Sequence, residues 1–467
     1  MEYGFDTFLS PMTWRYGSPE IRRIWSEEGK RLALRQVWVA VAEVQNTIGL
    51  ISDEALSDIK AHSGDIDINR SLEIEKQTRH DLMAEIRAFA EQCPVGGGSI
   101  HLGCTSMDIE DNVDALRIRQ SLQRVTGLLR QLIAAFEKQI RAWADCRCMA
   151  FTHIQSAEPT TVGYRLAQTA QDLLTCLERL ESLRIKGKGF KGAAGTGASF
   201  CTLLEGTGED FDSFEKQVAD RLGLEVFEDA TQVYTRLQDL QVMQALSLLC
   251  AAIHKFALDF RILQGSSIGE FGEYFAPGQV GSSAMPFKRN PINCEKLCSL
   301  CRLVRSWQDT AWDNSALNIL ERTLDDSANR RVFLPESFIA VDEILRVATS
   351  LVERMNVNTA VIQANFDRFG VFAATERLLM ILSSKGADRQ KMHEVIRRCS
   401  LQAWDTVTGG GANNLADLLA ADPEILGFMS EKEIRAALDA ADYVGIAPHR
   451  ALSTADRISE VLKKAGT

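Results

Sequence analysis

A chain of 467 residues is longer than one hydrophobic core usually serves, and its length points to about three domains or lobes. With 45% hydrophobic and 25% charged residues it has an ordinary globular composition, which suggests neither disorder nor a fibrous repeat. The net charge of −11 argues against nucleic acid as a partner, because binding its backbone needs a basic face, whereas an anionic small substrate needs only a local cluster of arginine and lysine.

The opening MEYGFDTFLSPMTW lacks the basic and apolar regions of a secretory leader, and no window reaches the roughly 18 apolar residues of a membrane span. A cytoplasmic location without membrane partners is expected. The eleven cysteines form no tight framework, which fits reduced thiols packed as small core residues.

Helical periodicity then dominates. From Leu122 through Val125, Leu129, Leu132, Phe136 and Ile140 to Trp143 the apolar steps are 3, 4, 3, 4, 4 and 3, the seam of a bundle helix. No proline lies between Pro159 and Pro277, and helices are predicted over about 160–185, 237–263, 294–310 and 329–355. Apolar residues cover nearly every face of 237–263, so that helix should be buried all round, at the centre of a bundle completed by other copies of the chain. No convincing alternating β pattern intervenes, and the fold class is mainly α. Glycine clusters mark loops at 95–99, 187–199, 265–281 and 409–411, of which 265–281 reads as a lid. Boundaries near 104 and 357 give an N-terminal helical domain 1–104, a central bundle 105–357 and a C-terminal helical domain 358–467.

Residues 281–291 read GSSAMPFKRNP. Two serines follow a glycine, Pro286 stiffens the turn, and Lys288, Arg289 and Asn290 supply donors suited to an anion. Pro291 fits the first turn of the next helix, whose free amides would face whatever the loop binds. A carboxylate is the expected guest. Taken alone, KRNP is a solvated basic turn, but the whole string resembles the signature GSS-x-M-P-x-K-x-N-P of the fumarase, aspartase, argininosuccinate lyase and adenylosuccinate lyase superfamily. Its members expel fumarate by β-elimination. MTWRYGSP at 12–19, TRHDLMA at 78–84, HLGCTSMDIEDN at 101–112, QVYTR at 232–236 and ERTLDDSANRR at 321–331 resemble the adenylosuccinate lyase family in particular. The C-terminal segment carries no usable motif.

The resemblance implies a fumarase/aspartase-like fold of three helical domains, with a central long-helix bundle completed in a homotetramer with shared active sites, and neither cofactor nor metal. The implied substrates are adenylosuccinate, split to AMP and fumarate, and the succinyl-carboxamide imidazole ribotide of purine synthesis. By resemblance Ser282 is the base, Ser283 lies on the carboxylate, and Lys288 with the loop amides supplies the positive field that a serine base needs. Lys288 and Asn290 hold the carboxylate on which charge grows, helped by Thr105, Ser106 and Gln232. His153, oriented by Glu295, is the acid for the leaving nitrogen, since imidazole suits proton transfer near neutral pH. His80 orients the substrate and shares the proton work, with Arg79 and Asp81 beside it. Arg15, Tyr16, Arg322, Ser327 and Arg331 match the family's phosphate-binding positions, where guanidinium geometry suits the ligand. Singly, each arginine reads as a surface ion-pair partner and each histidine as structural; their joint membership in matched blocks makes them a site.

The sequence also departs from the family in two places and leaves room for three rival functions. The block at the acid histidine is THIQSAEPTTVGYR where the family has THxQPAQxTTxGKR, so Ser156, Glu158 and Tyr164 replace proline, glutamine and lysine, and local charge falls by two. After the loop, INCEK shows Asn293 and Lys296 where animal forms carry arginine. Cys294, Cys298 and Cys301 have the C-x3-C-x2-C spacing of a radical S-adenosylmethionine enzyme, although these positions also form one face of a helix packed with small thiols. A non-catalytic helical scaffold is the second rival, and a superfamily lyase for another N-succinyl compound is the third.

Overall fold

The computed structural model describes residue 4 and residues 6–464. Its longest helices are Ser106–Ala142 with 37 residues, Asp325–Arg354 with 30, Leu237–Gln264 with 28 and Ile292–Ala316 with 25. Each covers a stretch predicted from apolar periodicity, with ends moved by polar turns that periodicity does not register. Val162–Ser182 begins slightly later than expected because Thr161 is still strand; its hydroxyl accepts from the Tyr164 amide at 3.1 Å and caps the helix. No helix among the described residues is long and apolar enough to cross a membrane.

Contacts group the chain into two interleaved units, one of Met1–Leu129, Cys176–Ala251 and Ser299–Arg346, the other of Arg130–Thr175, Ala252–Cys298 and Val347–Thr467. The first encloses a core of Val37, Trp38, Phe89, Ile109, Leu116 and Phe190. Its helices Glu27–Thr47 and Asp53–Ala61 start at Ser26 and Ser52, whose hydroxyls accept the amides of Gly29 and Ala55 and satisfy donors a helix end leaves open. The second unit packs Leu378, Leu382, Met392, Val395 and Leu415 beneath Thr375–Ser384 and Arg389–Thr408.

Within one chain, Leu237–Gln264 buries Met243, Leu246 and Ile253 and leaves Leu248, Leu258 and Ile262 exposed. Two expectations change. A β-hairpin, Arg147–Thr152 paired antiparallel with Gln155–Thr161, occupies a stretch where no strand was expected. Its second strand, QSAEPTT, is polar and carries a proline, so it shows no alternation. Finally, the middle of 265–281 is anchored rather than lid-like. Phe271–Gly272 pairs with Asn356–Val357, and the buried Glu270 accepts from Arg165 Nη1 at 3.2 Å and Asn365 Nδ2 at 3.1 Å.

Candidate active site

The signature loop is shaped by its backbone. A Cβ on Gly281 would stand 2.3 Å from the Lys288 carbonyl oxygen, so only glycine allows the two ends of the loop to approach. Asn290 Nδ2 donates to the Gly281 carbonyl at 3.3 Å and closes the neck. Ser282 Oγ then accepts the amides of Met285 at 3.1 Å and Ala284 at 3.4 Å. Donors on an oxygen favour its anion. Ser283 and Lys288 are exposed.

The helix after the loop does not offer its first amides to a ligand. Glu273 already accepts from Asn293 N at 3.1 Å, Asn293 Nδ2 at 2.8 Å and Cys294 N at 2.8 Å. Pro291 lies one residue before Ile292–Ala316. Glu295, in its first turn, is 3.8 Å from Arg261, and within the described residues of one chain it does not orient His153.

His153 stands at the hairpin tip. With Thr152 paired to Gln155, the turn is His153 and Ile154 alone, at φ 54 and 62. Such two-residue turns ordinarily use Asn-Gly, and a β-branched residue at positive φ is strained, at a cost of about 1–3 kcal/mol. The strain is held by the hairpin's anchorage: Arg165, paired to Glu270, donates to the Met149 carbonyl at 2.6 Å beside a bulge, and Met149 packs against Phe366 and Ala374. On the second strand, hydrogen bonding with Glu376 pushes the Glu158 carboxyl up. Tyr164 is exposed.

In the first unit, Asp81, Arg322, Ser327 and Arg331 line one cavity of about 700 Å³. Arg331 Nη2 donates to Asp81 Oδ2 at 2.7 Å. Burial pushes the Asp81 carboxyl up, but Arg331 and Lys30 more than offset this and hold it below the ordinary carboxylate range. Arg322 is tied to Asp326 at 2.7 Å, and Asp326 to the buried Arg236 at 2.6 Å. Gln232 is fixed by its amide on the Glu321 carbonyl at 3.2 Å and its side chain on the Ala193 carbonyl at 3.1 Å. Arg15 and Tyr16 follow the short helix Pro11–Trp14; that block is pinned where the Ser18 amide and hydroxyl both donate to the buried Asp342, at 2.8 and 3.0 Å.

His80 caps Asp81–Gln92, its Nδ1 accepting from the Met83 amide at 3.3 Å, so a neutral ring carries its proton on Nε2. Arg79, before it, is left-handed at φ 53. Thr105 donates its amide to Asp108 at 2.8 Å, and Asp108 is bridged to the fully buried Lys188, which fixes the start of the helix opening at Ser106. His101 was missed from the sequence although it lies in the same block as Thr105. Trp38 Nε1 donates to its Nδ1 at 3.1 Å, which again puts the proton on Nε2. Burial, with His80 adding to it, pulls the His101 imidazole down to about 4 from an ordinary 6.5. The fold therefore rejects protonated His101: its contribution is complete above about 6.5 and is lost as pH falls toward about 4. His101→Gln should flatten the dependence of the melting temperature on pH across that window; an unchanged curve would show that the fold accepts the charged ring.

Cys294, Cys298 and Cys301 are all buried on one helix, where Cys294 bonds to Glu273 and Cys301 to Cys250. Among the described residues no group of three or more such side chains converges as a metal site, and an iron–sulfur cluster is not favoured.

Comparison with known proteins accounts for nearly the whole chain. A family profile described as "Lyase" matches residues 18–306, and one described as "Adenylosuccinate lyase C-terminus" matches 372–451, in the segment where no motif was legible. The adenylosuccinate lyase of Schizosaccharomyces pombe is 35% identical over 99% of this chain and 96% of its own length. That of Schistosoma mansoni is 36% identical over 90% and 88%. Among solved structures, the 3-carboxy-cis,cis-muconate lactonizing enzyme of Pseudomonas putida superposes with a TM-score of 0.83 over 95% of this chain and 98% of that one; at 24% identity it shares the fold. The chain belongs to the adenylosuccinate lyase family, within the fumarase/aspartase superfamily.

Proposed function

We propose that the protein is a cytoplasmic carbon–nitrogen lyase of purine nucleotide biosynthesis, which eliminates fumarate from adenylosuccinate to leave AMP and acts likewise on the succinyl-carboxamide imidazole ribotide. The observation that carries the chemistry is the pair of amides on Ser282 Oγ, which favour its alkoxide. That alkoxide takes the proton from the carbon beside the carboxylate. The electron pair rests on the carboxylate as a carbanion, held by Lys288, Asn290 and Ser283 with Thr105, Ser106 and Gln232. It then forms the new C=C bond as the C–N bond breaks, and His153 protonates the departing nitrogen. Arg79, His80 and Asp81 orient the substrate, while Arg15, Tyr16, Arg322, Ser327 and Arg331 hold its phosphate.

Glu295 stands 3.8 Å from Arg261 in its own chain, and we read the Glu295 that orients His153 as coming from another copy. A homotetramer with shared sites fits the exposed Leu248, Leu258, Ile262 and Trp312, large apolar side chains that one chain leaves in water. In sequence order we divide the chain into helical domains near 104 and 357.

Ultraviolet assay of the purified protein with adenylosuccinate, beside argininosuccinate and aspartate, tests the reading. Turnover of adenylosuccinate is expected. Turnover of another substrate alone would point to a different N-succinyl lyase, and none at all to a scaffold.

A further inference from the structure

We propose that Glu110 is a positioning residue of the phosphate pocket, taking up a proton when the substrate's phosphate docks against Arg331. This rests on the assignment of Arg322, Ser327 and Arg331 to the phosphate. Glu110 lines the same cavity as Asp81, Arg322, Ser327 and Arg331, and nothing in the elimination uses it. Its side chain is 20% exposed and stands 3.9 Å from Lys30 Nζ.

Most of the other charges facing the cavity are already paired. Arg31 is held by Glu27 and by Glu85, the latter at 3.1 Å. Arg330 is held by Asp239 at 2.8 Å and Asp114 at 3.0 Å, and Arg117 lies 3.7 Å from Asp114. Arg322 is bound to Asp326 at 2.7 Å. Glu75 also reaches the lining. Closest to the assigned phosphate positions, Lys30 and Arg331 face the carboxylates of Glu110 and Asp81.

A phosphate monoester brings about −1.5 to −2 further charge into this set. Protonating one carboxyl offsets about one unit of that charge, and Glu110 and Asp81 are unequal in readiness. Arg331 and Lys30 hold Asp81 low, whereas burial pushes Glu110 up to about 7. The proton therefore goes to Glu110, from solvent, and Lys30 is released from its carboxylate to face the phosphate. The linkage has a fixed sign: substrate affinity falls as pH rises through about 7, because each binding event must then draw a scarcer proton.

Calorimetric titration of the full-length protein with AMP near pH 7, in two buffers of different ionisation enthalpy, counts the protons taken up. The wild type should take up about half a proton per site more than Glu110→Gln, since a group titrating near that pH is about half protonated beforehand. Protons exchanged by the phosphate itself are common to both proteins and cancel. The KM for adenylosuccinate should rise more steeply with pH in the wild type than in the variant, with kcat profiles alike. Lys30→Gln provides an independent arm: without that cation Glu110 is protonated before AMP arrives, and the uptake should shrink. Equal proton counts in wild type and variants, with AMP bound, would overturn this proposal alone. Failure of the wild type to bind AMP would overturn the phosphate assignment and this proposal with it.

Discussion

Ser282→Ala is expected to lower turnover of adenylosuccinate by about 10²–10⁴-fold, the usual contribution of one positioned acid–base group. Affinity for AMP should stay within about threefold, because a base acts in the transition state and contributes little to ground-state binding. The loop survives the change: its closing contacts, Lys288 N to the Met285 carbonyl at 3.0 Å and Asn290 to the Gly281 carbonyl, do not involve the lost hydroxyl. What disappears is the acceptor for two amides, and in an exposed loop water replaces it. Steady-state rates and AMP calorimetry on the same preparation check both halves. Near-normal turnover would remove Ser282 as the base.

Asp111→Ala should have the largest effect on stability, about 3–5 kcal/mol, the range for leaving buried charge without its counterpart. Asp111 is fully buried and accepts the Tyr234 amide at 2.8 Å and Arg236 Nη1 at 3.0 Å, with Arg330 at 3.8 Å. Burial pushes its carboxyl up, and Arg236 and Arg330 oppose that shift. Arg236 Nη2 already lacks a protein partner, so the guanidinium has no spare contact to fall back on. Because Arg236 also holds Asp326, and Asp326 holds Arg322, folded variant protein should show a raised KM as well. Chemical denaturation measures the first effect; a loss below about 1 kcal/mol would mean that water replaces the carboxylate at that site.

The sequence displays the parts of this molecule whose physics is local. Leu237–Gln264 was legible because its apolar side chains recur within a few residues, and the loop because Gly281, Ser282, Lys288 and Asn290 lie together in one string. What stayed hidden depends on partners far along the chain. Asp108 and Lys188 pair across 80 positions, and Ser18 meets Asp342 across 324. Glu273 takes the helix amides that Pro291 seemed to leave open for substrate, a contact no spacing rule announces. The hairpin was hidden for another reason: its turn uses His153 and Ile154 instead of the residues that favour positive φ. His101 stood in a matched block, but its neutral state depends on Trp38.

The interleaving of the two contact units bears on biogenesis. Neither unit is encoded by a contiguous stretch: the first closes only with Arg346 and the second only near the C-terminus. A nascent chain therefore cannot finish one half and then the other, as a string of ordinary domains does on the ribosome. Early helices must wait, with apolar faces open, for segments made a few hundred codons later, and pairing segments so distant in sequence slows the search. Severed halves are expected to be recovered better by co-expression than alone.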